Sequence, residues 1–160
     1  MTDEQFVPLA QAHIDMVFRV AYSYLKSHAD ADDVTQDVLI QLYKTETAFE
    51  SEAHIKNWLI RVTVNRCKML FRSPWRRVEA LEDYAETLGF EAPEYYDLFT
   101  AVMRLDRRYR VPIYLYYYEG YSIPEIARLL QISENTVSTR LRRARIRLRD
   151  QLTEAEYHDK

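Results

Sequence analysis

Hydrophobic residues recur every three or four positions along the N-terminal half of the chain, which is the spacing of amphipathic α-helices. The pattern predicts a helix over about residues 4–26, a second helix with Asp30 as its N-cap, and a long helix over about residues 53–72. The periodicity lapses over residues 44–52, and this lapse predicts a loop that carries Phe49.

The third predicted helix changes character along its length. Its predicted core face consists of Ile55, Trp58, Leu59 and Val62. In the next turn the same face carries the polar residue Asn65, so we expect this face to be buried only in the first half of the helix. A surface formed by Phe49, Val62, Asn65, Lys68 and nearby arginines is suited to stacking an unpaired base and holding its backbone. The spacing is equally compatible with Asn65 bonding to the loop backbone.

The C-terminal half continues the helical pattern. Apolar residues between Phe99 and Leu105 predict one helix, and residues 109–118 predict another, in which Pro112 is expected to kink the helix or delay its start. Several tyrosines near the end of this segment are expected to pack with their rings inside and their hydroxyl groups at the rim. Gly120 then introduces the most distinctive stretch of the chain.

Residues 121–149 have the pattern of two helices joined by a tight turn. Ser122 is the predicted N-cap of the first, with Pro124 in the first turn and Glu125 completing a capping box. A break over residues 131–133 precedes a second start. The apolar face of the second helix consists of Val137, Leu141, Ala144, Leu148 and Leu152. This arrangement predicts a helix-turn-helix.

Six arginines and no acid lie between Asn135 and Arg149. Such a run is often only a solvated helix face. In a helix-turn-helix, however, small polar residues at the start of the second helix reach base edges, and arginines bind phosphates or guanines. The predicted function of this segment is therefore DNA binding.

The composition favours an all-α protein, because the 160 residues include only two glycines and five prolines beside many Leu, Arg, Ala, Glu and Tyr residues. With 48% hydrophobic residues, the chain can bury one medium core or two small ones. We predict two small helical domains joined by an acidic linker, with the helix-turn-helix in the C-terminal domain. The predicted boundaries are residues 1–77 for the first domain, 78–97 for the linker, 98–153 for the second domain and 154–160 for a tail.

The formal net charge is −3, but the charges are segregated. Seven Lys or Arg residues and no acid lie from Lys56 to Arg77, whereas seven acids and one lysine lie from Asp30 to Glu52. A further seven acids and no base lie from Glu79 to Asp97. Together with the arginines near the C-terminus, these blocks predict two basic surfaces for nucleic acid, one acidic surface for another partner, and an acidic connector.

Catalytic chemistry is not indicated by the sequence. The four histidines are scattered, Cys67 is the single cysteine, and no glycine-rich phosphate loop is present. We therefore expect no metal, no cofactor, no small-molecule substrate and no enzymatic activity. The lone cysteine and the acids at the N-terminus favour a cytoplasmic location, and the apolar run over residues 111–118 is too short to cross a bilayer.

Three motifs follow one another along the chain. They are Asp30-Ala-Asp-Asp-Val-Thr-Gln-Asp-Val, then Trp58-Leu-Ile-Arg-Val-Thr-Val-Asn65, then Gly120-Tyr-Ser-Ile-Pro-Glu-Ile-Ala with Thr136-Val and Arg143-Ala-Arg after it. With these motifs nearly the whole chain resembles an extracytoplasmic function (ECF) sigma factor, a small member of the sigma-70 superfamily with only its second and fourth conserved domains. The motifs are similar to the segments that dock on the β′ clamp helices of RNA polymerase, open the minus-10 promoter element and read the minus-35 element.

The resemblance implies roles for individual residues. Local physics alone interprets the acids of the second helix as capping and solvation, but the resemblance implies that Asp33, Gln36 and Asp37 face the polymerase. It implies that Phe49, Val62 and Asn65 capture a flipped non-template base, with Lys56, Arg61 and Lys68 on the DNA backbone. The candidate minus-35 contacts are Asn135, Thr136, Ser138, Thr139, Arg140, Arg142 and Arg143.

The implied function is that of an alternative sigma factor that directs promoter-specific transcription initiation in an envelope or stress response. The implied partners are promoter DNA, the β′ clamp helices and β flap of core RNA polymerase, and an anti-sigma factor, which is often membrane-bound in this family. One departure is Gln131, which stands in the turn where many members carry Gly, and a left-handed backbone there would cost about 1 kcal/mol.

Two other functions are compatible with parts of the sequence. A stand-alone helix-turn-helix regulator would use the N-terminal helices for dimerisation and would give a symmetric footprint without polymerase. A sigma-like decoy would bind anti-sigma factors but not DNA.

Overall fold

The computed structural model describes residues 1–72 and 93–158, with side chains described over residues 1–72 and 98–153. Every regular element within these ranges is an α-helix, and there are seven of them. The chain folds into two compact units, Met1–Val78 and Glu79–Lys160. The prediction of an all-α protein with two domains is therefore confirmed, while residues 78–92 of the predicted linker lie outside the described residues.

Three helices form the described part of the first unit: α1 (Asp3–Leu25), α2 (His28–Lys44) and α3 (Glu52–Phe71). Each helix begins after a residue whose side-chain oxygen accepts a hydrogen bond from the backbone N–H three residues later, which satisfies one of the free amides of the first turn. These N-cap residues are Thr2, Ser27 and Ser51.

The N-cap of α2 is Ser27 and not Asp30, so this prediction is wrong. The Ser27 hydroxyl accepts a hydrogen bond from the Asp30 amide at 3.2 Å. Ser27 is buried and has the extended backbone that a cap requires, so α2 starts before Asp30. Asp30 instead lies in the first turn, where the helix dipole favours a carboxylate.

Side chains from all three helices fill the core of the first unit. Two threonines share this core, and their hydroxyls donate to backbone carbonyls one turn earlier, Thr35 to Ala31 and Thr63 to Leu59, at 2.7 Å each. Neither buried hydroxyl is therefore left without a partner. Fully buried apolar residues include Val17, Tyr22, Leu25, Val38, Leu42, Leu59, Ile60 and Val64.

The buried stripe of α3 differs from the predicted one. Trp58 and Val62 are only half-buried, and the stripe does not leave the core midway. The prediction passed over Thr63 and Cys67, which pack here as small core residues. Trp58 instead lies on a second, outward face of α3. The residues that form the buried stripe are Ile55, Leu59, Ile60, Thr63, Val64 and Cys67.

Four helices form the described part of the second unit: α4 (Pro93–Arg104), α5 (Arg107–Tyr117), α6 (Ile123–Leu130) and α7 (Glu134–His158). Helix α4 begins at Pro93, within the predicted linker, and α7 continues into the predicted tail. Helix α7 packs against the other three helices of this unit.

Two residues shape the path from α4 into α5. Arg110 is buried, and its guanidinium donates to the Leu105 carbonyl at 3.1 Å, which ties the start of α5 to the end of α4. Pro112 does not delay the start of α5, which begins at Arg107 and contains Pro112 within it. The missing proline amide removes one hydrogen bond of the helix, while its ring is buried in the core.

The connection from α5 to α6 turns at Gly120, whose φ of 73° lies in the left-handed region that favours glycine. The Tyr114 hydroxyl donates to Glu119 at 3.1 Å, and the Tyr121 amide donates to the Leu115 carbonyl at 3.0 Å. These two bonds hold the loop against α5 and fix where α6 begins.

The predicted capping box of α6 is present. The Glu125 amide donates to the Ser122 hydroxyl, and the Ser122 amide donates to the Glu125 carboxylate. Helix α6 ends at Leu130 and is capped by Gln131, which is left-handed with φ 57° and ψ 46°. Helix α7 then begins after Ser133, whose hydroxyl accepts from the Thr136 amide at 3.1 Å. The described residues therefore contain the predicted helix-turn-helix.

Candidate nucleic-acid interfaces

The first turns of α7 present polar and basic side chains to solvent. Asn135, Ser138, Arg142 and Arg143 are exposed, and Thr136, Thr139 and Arg140 are half-buried. The opposite side of the helix is buried in the unit, as the spacing predicts. This burial fixes the rotation of α7 about its own axis and leaves all seven candidate minus-35 residues at least partly accessible. The buried residues are Val137, Leu141, Ala144 and Leu148.

An open cleft of about 350 Å³ brings together five of the seven candidate minus-35 residues. Ser138 and Arg142 do not line it. Helix α5 contributes Arg108 and Tyr109 to the same cleft. Sequence reasoning missed Arg108, although the basic run over residues 107–110 was a visible signal. The candidate residues that line the cleft are Asn135, Thr136, Thr139, Arg140 and Arg143.

Two arginines farther along α7 are engaged by tyrosines of α5. The Nε of Arg145 donates to the Tyr117 hydroxyl at 2.7 Å, and its guanidinium carbon lies 5.6 Å from the centroids of the Tyr116 and Tyr117 rings. The guanidinium carbon of Arg147 lies 4.7 Å from the Tyr109 ring centroid. These are cation–π distances, so the six arginines of this segment do not form one uniform surface.

The outward face of α3 carries most of the candidate minus-10 residues. Arg61 and Asn65 are exposed, and Val62 and Lys68 are half-buried. Their spacing places all four on the side of the helix opposite the buried stripe. Lys56 differs, because its spacing places it on the same side of the helix as the buried stripe, in the first turns, where it is half-buried. The helix therefore groups four of its five candidate residues and separates Lys56 from them.

Phe49 lies in the loop before α3 and is half-buried against two rings of that helix. Its ring centroid is 5.4 Å from that of His54 and 5.6 Å from that of Trp58, both in edge-to-face geometry. His54, Trp58, Arg61 and Asn65 recur at helical spacing along one line. The loop thus places Phe49 at the N-terminal end of the outward face of α3. An open groove of about 560 Å³ runs beneath the loop.

Helix α2 presents the candidate polymerase contacts along one outward stripe. Asp33 and Gln36 are exposed, and Asp37 is half-buried. Asp37 is bound to Arg66 of α3, with 2.7 Å between its Oδ2 and the arginine Nη2. The same stripe continues to Ile40, which is 51% exposed. Sequence reasoning missed both the ion pair and the exposed isoleucine.

The described residues contain no group of three or more His, Cys, Asp or Glu side chains that could hold a metal ion. None of the helices, as far as they are described, is both long and apolar enough to cross a membrane.

Comparison with known proteins supports the same two-part organisation. Residues 9–77 match the family model described as Sigma-70 region 2, and residues 96–148 match the model described as Sigma-70, region 4. The ECF RNA polymerase sigma factor SigM of Mycobacterium tuberculosis is 32% identical over 146 residues, which cover 89% of this chain and 74% of SigM. The RNA polymerase sigma factor SigV of Bacillus subtilis is 30% identical over 150 residues, covering 90% of this chain and 89% of SigV.

Two solved structures are similar to the chain along most of its length. One is the sigma factor RpoE in complex with the anti-sigma factor NepR from Bartonella quintana, with a TM-score of 0.72 and 21% identity, covering 94% of this chain and 98% of RpoE. At that identity the likeness shows the fold alone. The other is CnrH in complex with the cytosolic domain of CnrY, with a TM-score of 0.67 and 27% identity, covering 96% of this chain and 90% of CnrH.

The family models match the two helical units separately and in the order that the motifs predict. The first covers the helices with the acidic and basic faces, and the second covers the helix-turn-helix. The relatives in Mycobacterium tuberculosis and Bacillus subtilis span nearly all of the chain. The chain therefore belongs to the sigma-70 family of RNA polymerase sigma factors, within the extracytoplasmic function group.

Proposed function

We propose that this chain is an alternative sigma factor that binds core RNA polymerase and directs it to a specific set of promoters. The observation that carries the proposal is the pairing, in one chain, of a helix-turn-helix with a separate helical unit whose outward faces differ in charge. A DNA-binding regulator that acts alone has no need for an acidic docking face. The chain acts in the cytoplasm and contributes no bond-making chemistry, since polymerase joins the nucleotides.

The outward stripe of α2 is the proposed contact with the β′ clamp helices. Asp33, Gln36 and Asp37 supply charge and hydrogen-bond acceptors along it, and Ile40 supplies an apolar group. A contact of this composition suits a basic partner helix with one apolar position, because complementary charge sets register and a buried apolar side chain adds affinity. The β flap is the proposed contact of the second unit.

The outward face of α3 is the proposed reader of the minus-10 element. Phe49 offers a ring for stacking, while Val62 and Asn65 form the rest of the pocket for a flipped non-template base. Arg61 and Lys68 contact the DNA backbone on either side of Asn65. Lys56 is proposed as a more peripheral backbone contact, since it lies away from that face.

The start of α7 is the proposed reader of the minus-35 element. Asn135, Ser138 and Thr139 have short side chains suited to base edges, as in other helix-turn-helix proteins. Arg142 and Arg143 bind phosphates or guanines from the exposed side of the helix, and Thr136 and Arg140 complete the surface. Arg108 of α5 adds a positive charge at the same cleft.

The charge distribution accounts for dependence on polymerase. The net charge of −3 and the acids of α2 oppose phosphate attraction, so the isolated chain binds promoters weakly. When core polymerase holds both units, each DNA contact raises the effective concentration of the other. Capture of an unpaired base then favours the open form of the promoter without hydrolysis of a nucleotide.

An anti-sigma factor is the proposed regulator of the chain, and release from it in an envelope or stress response is the proposed signal. One of the similar solved structures is that of a sigma factor bound to the anti-sigma factor NepR, and the other is that of CnrH bound to the cytosolic domain of CnrY. A protein that covers the outward stripe of α2 would prevent polymerase binding, and one that also covers the cleft lined by α5 and α7 would prevent recognition of the minus-35 element.

Reconstitution with core polymerase on a genomic promoter library tests the proposal directly. The expected result is run-off transcription from a small set of promoters with shared elements near minus-35 and minus-10, and no specific footprint without core enzyme. A symmetric footprint from the chain alone would instead identify a stand-alone regulator. Binding to an anti-sigma factor with no transcription from any promoter would identify a decoy.

A further inference from the structure

The loop that carries Phe49 is held in place by a residue outside the proposed DNA contacts. The backbone N–H of Glu50, next to Phe49, donates to Nδ1 of His54 at 3.1 Å. The His54 amide in turn donates to the Ser51 hydroxyl at 3.1 Å, which fixes His54 in the first turn of α3. One imidazole thus ties the end of the loop to the start of the helix.

The same imidazole also touches the Phe49 ring. The two ring centroids are 5.4 Å apart with an interplanar angle of 73°, and the Trp58 ring meets Phe49 in a similar way at 5.6 Å and 71°. His54 and Trp58 are four residues apart, so they lie one above the other on the outward face of α3. The Phe49 ring therefore packs against two rings, and His54 supplies both one of these rings and the hydrogen bond to the neighbouring backbone.

The hydrogen bond shows which ring nitrogen of His54 acts as an acceptor. Nδ1 accepts a hydrogen bond from the Glu50 amide, so in this contact that nitrogen serves as an acceptor and carries no hydrogen. A phenylalanine at position 54 would keep the ring contact but offer no acceptor. An asparagine would offer an acceptor at the same branch point but no ring. These two substitutions separate the two parts of the interaction.

We infer that His54 is a positioning residue for promoter opening, which holds the Phe49 ring at the head of the face that carries Arg61 and Asn65. The inference rests on the proposed capture of a base by Phe49. If the Phe49 ring had to become ordered when the base arrived, the entropy cost of ordering the side chain would offset part of the free energy gained by stacking. A preorganised ring removes that cost from the opening step.

The test is a double-mutant cycle in the full-length chain bound to core polymerase. Promoter opening is followed by the fluorescence of 2-aminopurine placed in the minus-10 element of a promoter chosen from the library. We expect His54→Ala and Phe49→Ala each to slow opening by about tenfold, since each removes one aromatic contact and the former also a hydrogen bond. The double variant should be no slower than Phe49→Ala alone, because His54 acts through Phe49.

Matched variants separate positioning from a general structural role. His28→Ala removes another histidine from the first turn of a helix that also contacts a ring, that of Phe18, and should leave the opening rate unchanged. His54→Phe and His54→Asn should each recover part of the opening rate. Affinity for core polymerase should be unaltered in every variant. If His54→Ala changes the affinity for core polymerase, the opening rates of His54→Phe and His54→Asn are measured at saturating polymerase. Partial recovery of the opening rate then supports the positioning role, and no recovery in either variant overturns it.

The outcomes are distinguishable. Additive effects of His54→Ala and Phe49→Ala, or a normal opening rate in His54→Ala beside a slow one in Phe49→Ala, would overturn the positioning role but leave base capture intact. A normal rate in Phe49→Ala would overturn base capture by this loop and the positioning role with it. Run-off transcription by the parent chain would still establish it as a sigma factor.

Discussion

The turn of the helix-turn-helix contains a strained residue, and replacing Gln131 by glycine should stabilise the second unit. Gln131 has φ 57° and ψ 46°, a region in which an L side chain costs about 1–2 kcal/mol. Glycine removes that cost but also gives the unfolded chain more freedom, which offsets about 0.4–1 kcal/mol. The net gain in the free energy of unfolding should be about 0.5–1 kcal/mol.

The hydrogen bonds of this turn do not depend on the side chain. The backbone amides of Gln131 and Ile132 both donate to the Ala127 carbonyl, and the Gln131 side chain is exposed. Glycine keeps both bonds. For a unit of about 60–100 residues, the expected gain corresponds to a rise in Tm of about 2–8 °C. Because glycine keeps the backbone conformation of the turn, the angle between α6 and α7 should not change. Promoter recognition should therefore be the same in Gln131→Gly as in the parent chain.

Calorimetry of the full chain measures the gain, and hydrogen exchange of the α6 and α7 amides locates it. Gln131→Ala is the matched control, because it removes the side chain but keeps the left-handed strain and should give no gain. Lys26→Gly is the control for location, since Lys26 is left-handed at the end of α1 and the change should act on the first unit. A fall in Tm with Gln131→Gly, or an equal rise with Gln131→Ala, would refute the strain argument.

Three further predictions concern the proposed interfaces and the core. Arg143→Gln should lower run-off transcription from promoters that depend on the minus-35 element. It should also reduce the salt slope of promoter binding by about one, as measured by holoenzyme binding at several salt concentrations. Arg145→Gln should leave both the transcription and the salt slope unchanged. Asp37→Ala should weaken binding to core polymerase in co-purification. Arg66→Ala should not weaken it, because this change leaves the Asp37 carboxylate available. Equal losses of polymerase binding in the two variants would show that the ion pair matters only to the fold. Burial, with smaller contributions from two nearby glutamates, raises the pKa of Tyr121 above its usual value of 10.0. Its contribution to stability is therefore complete below about pH 10 and is lost at higher pH, so Tyr121→Phe should make the second unit more resistant to alkaline unfolding in circular dichroism.

The features that were predictable from the sequence are those that short-range interactions decide. The capping box of Ser122 and Glu125 forms between residues three apart, and the second start at Ser133 is equally local. Helical periodicity predicted most helices to within a few residues, but α4 begins at Pro93, inside the predicted linker, and α7 extends into the predicted tail. The roles assigned to the interface residues stay predictions.

The features that were not predictable depend on packing between helices. Ser27 and Asp30 are both good N-caps, and the burial of Ser27 in the folded unit decides between them. The buried stripe of α3 includes Thr63, whose polarity is hidden because its hydroxyl bonds to the helix backbone. The pair of Asp37 and Arg66 joins residues 29 positions apart, a distance at which sequence spacing carries no information.

The arginines of α7 show how packing divides a charge pattern that looks uniform in the sequence. All six have the same formal charge, and a count of them suggests six phosphate contacts. Arg145 and Arg147 place their guanidinium groups against tyrosines of α5, and in doing so they fasten α7 to the rest of the second unit. Arg140, Arg142 and Arg143 lie in the first turns, beside the short polar side chains. The same residue type therefore packs against α5 at Arg145 and Arg147, while at Arg140, Arg142 and Arg143 it lies beside the polar side chains proposed to read DNA.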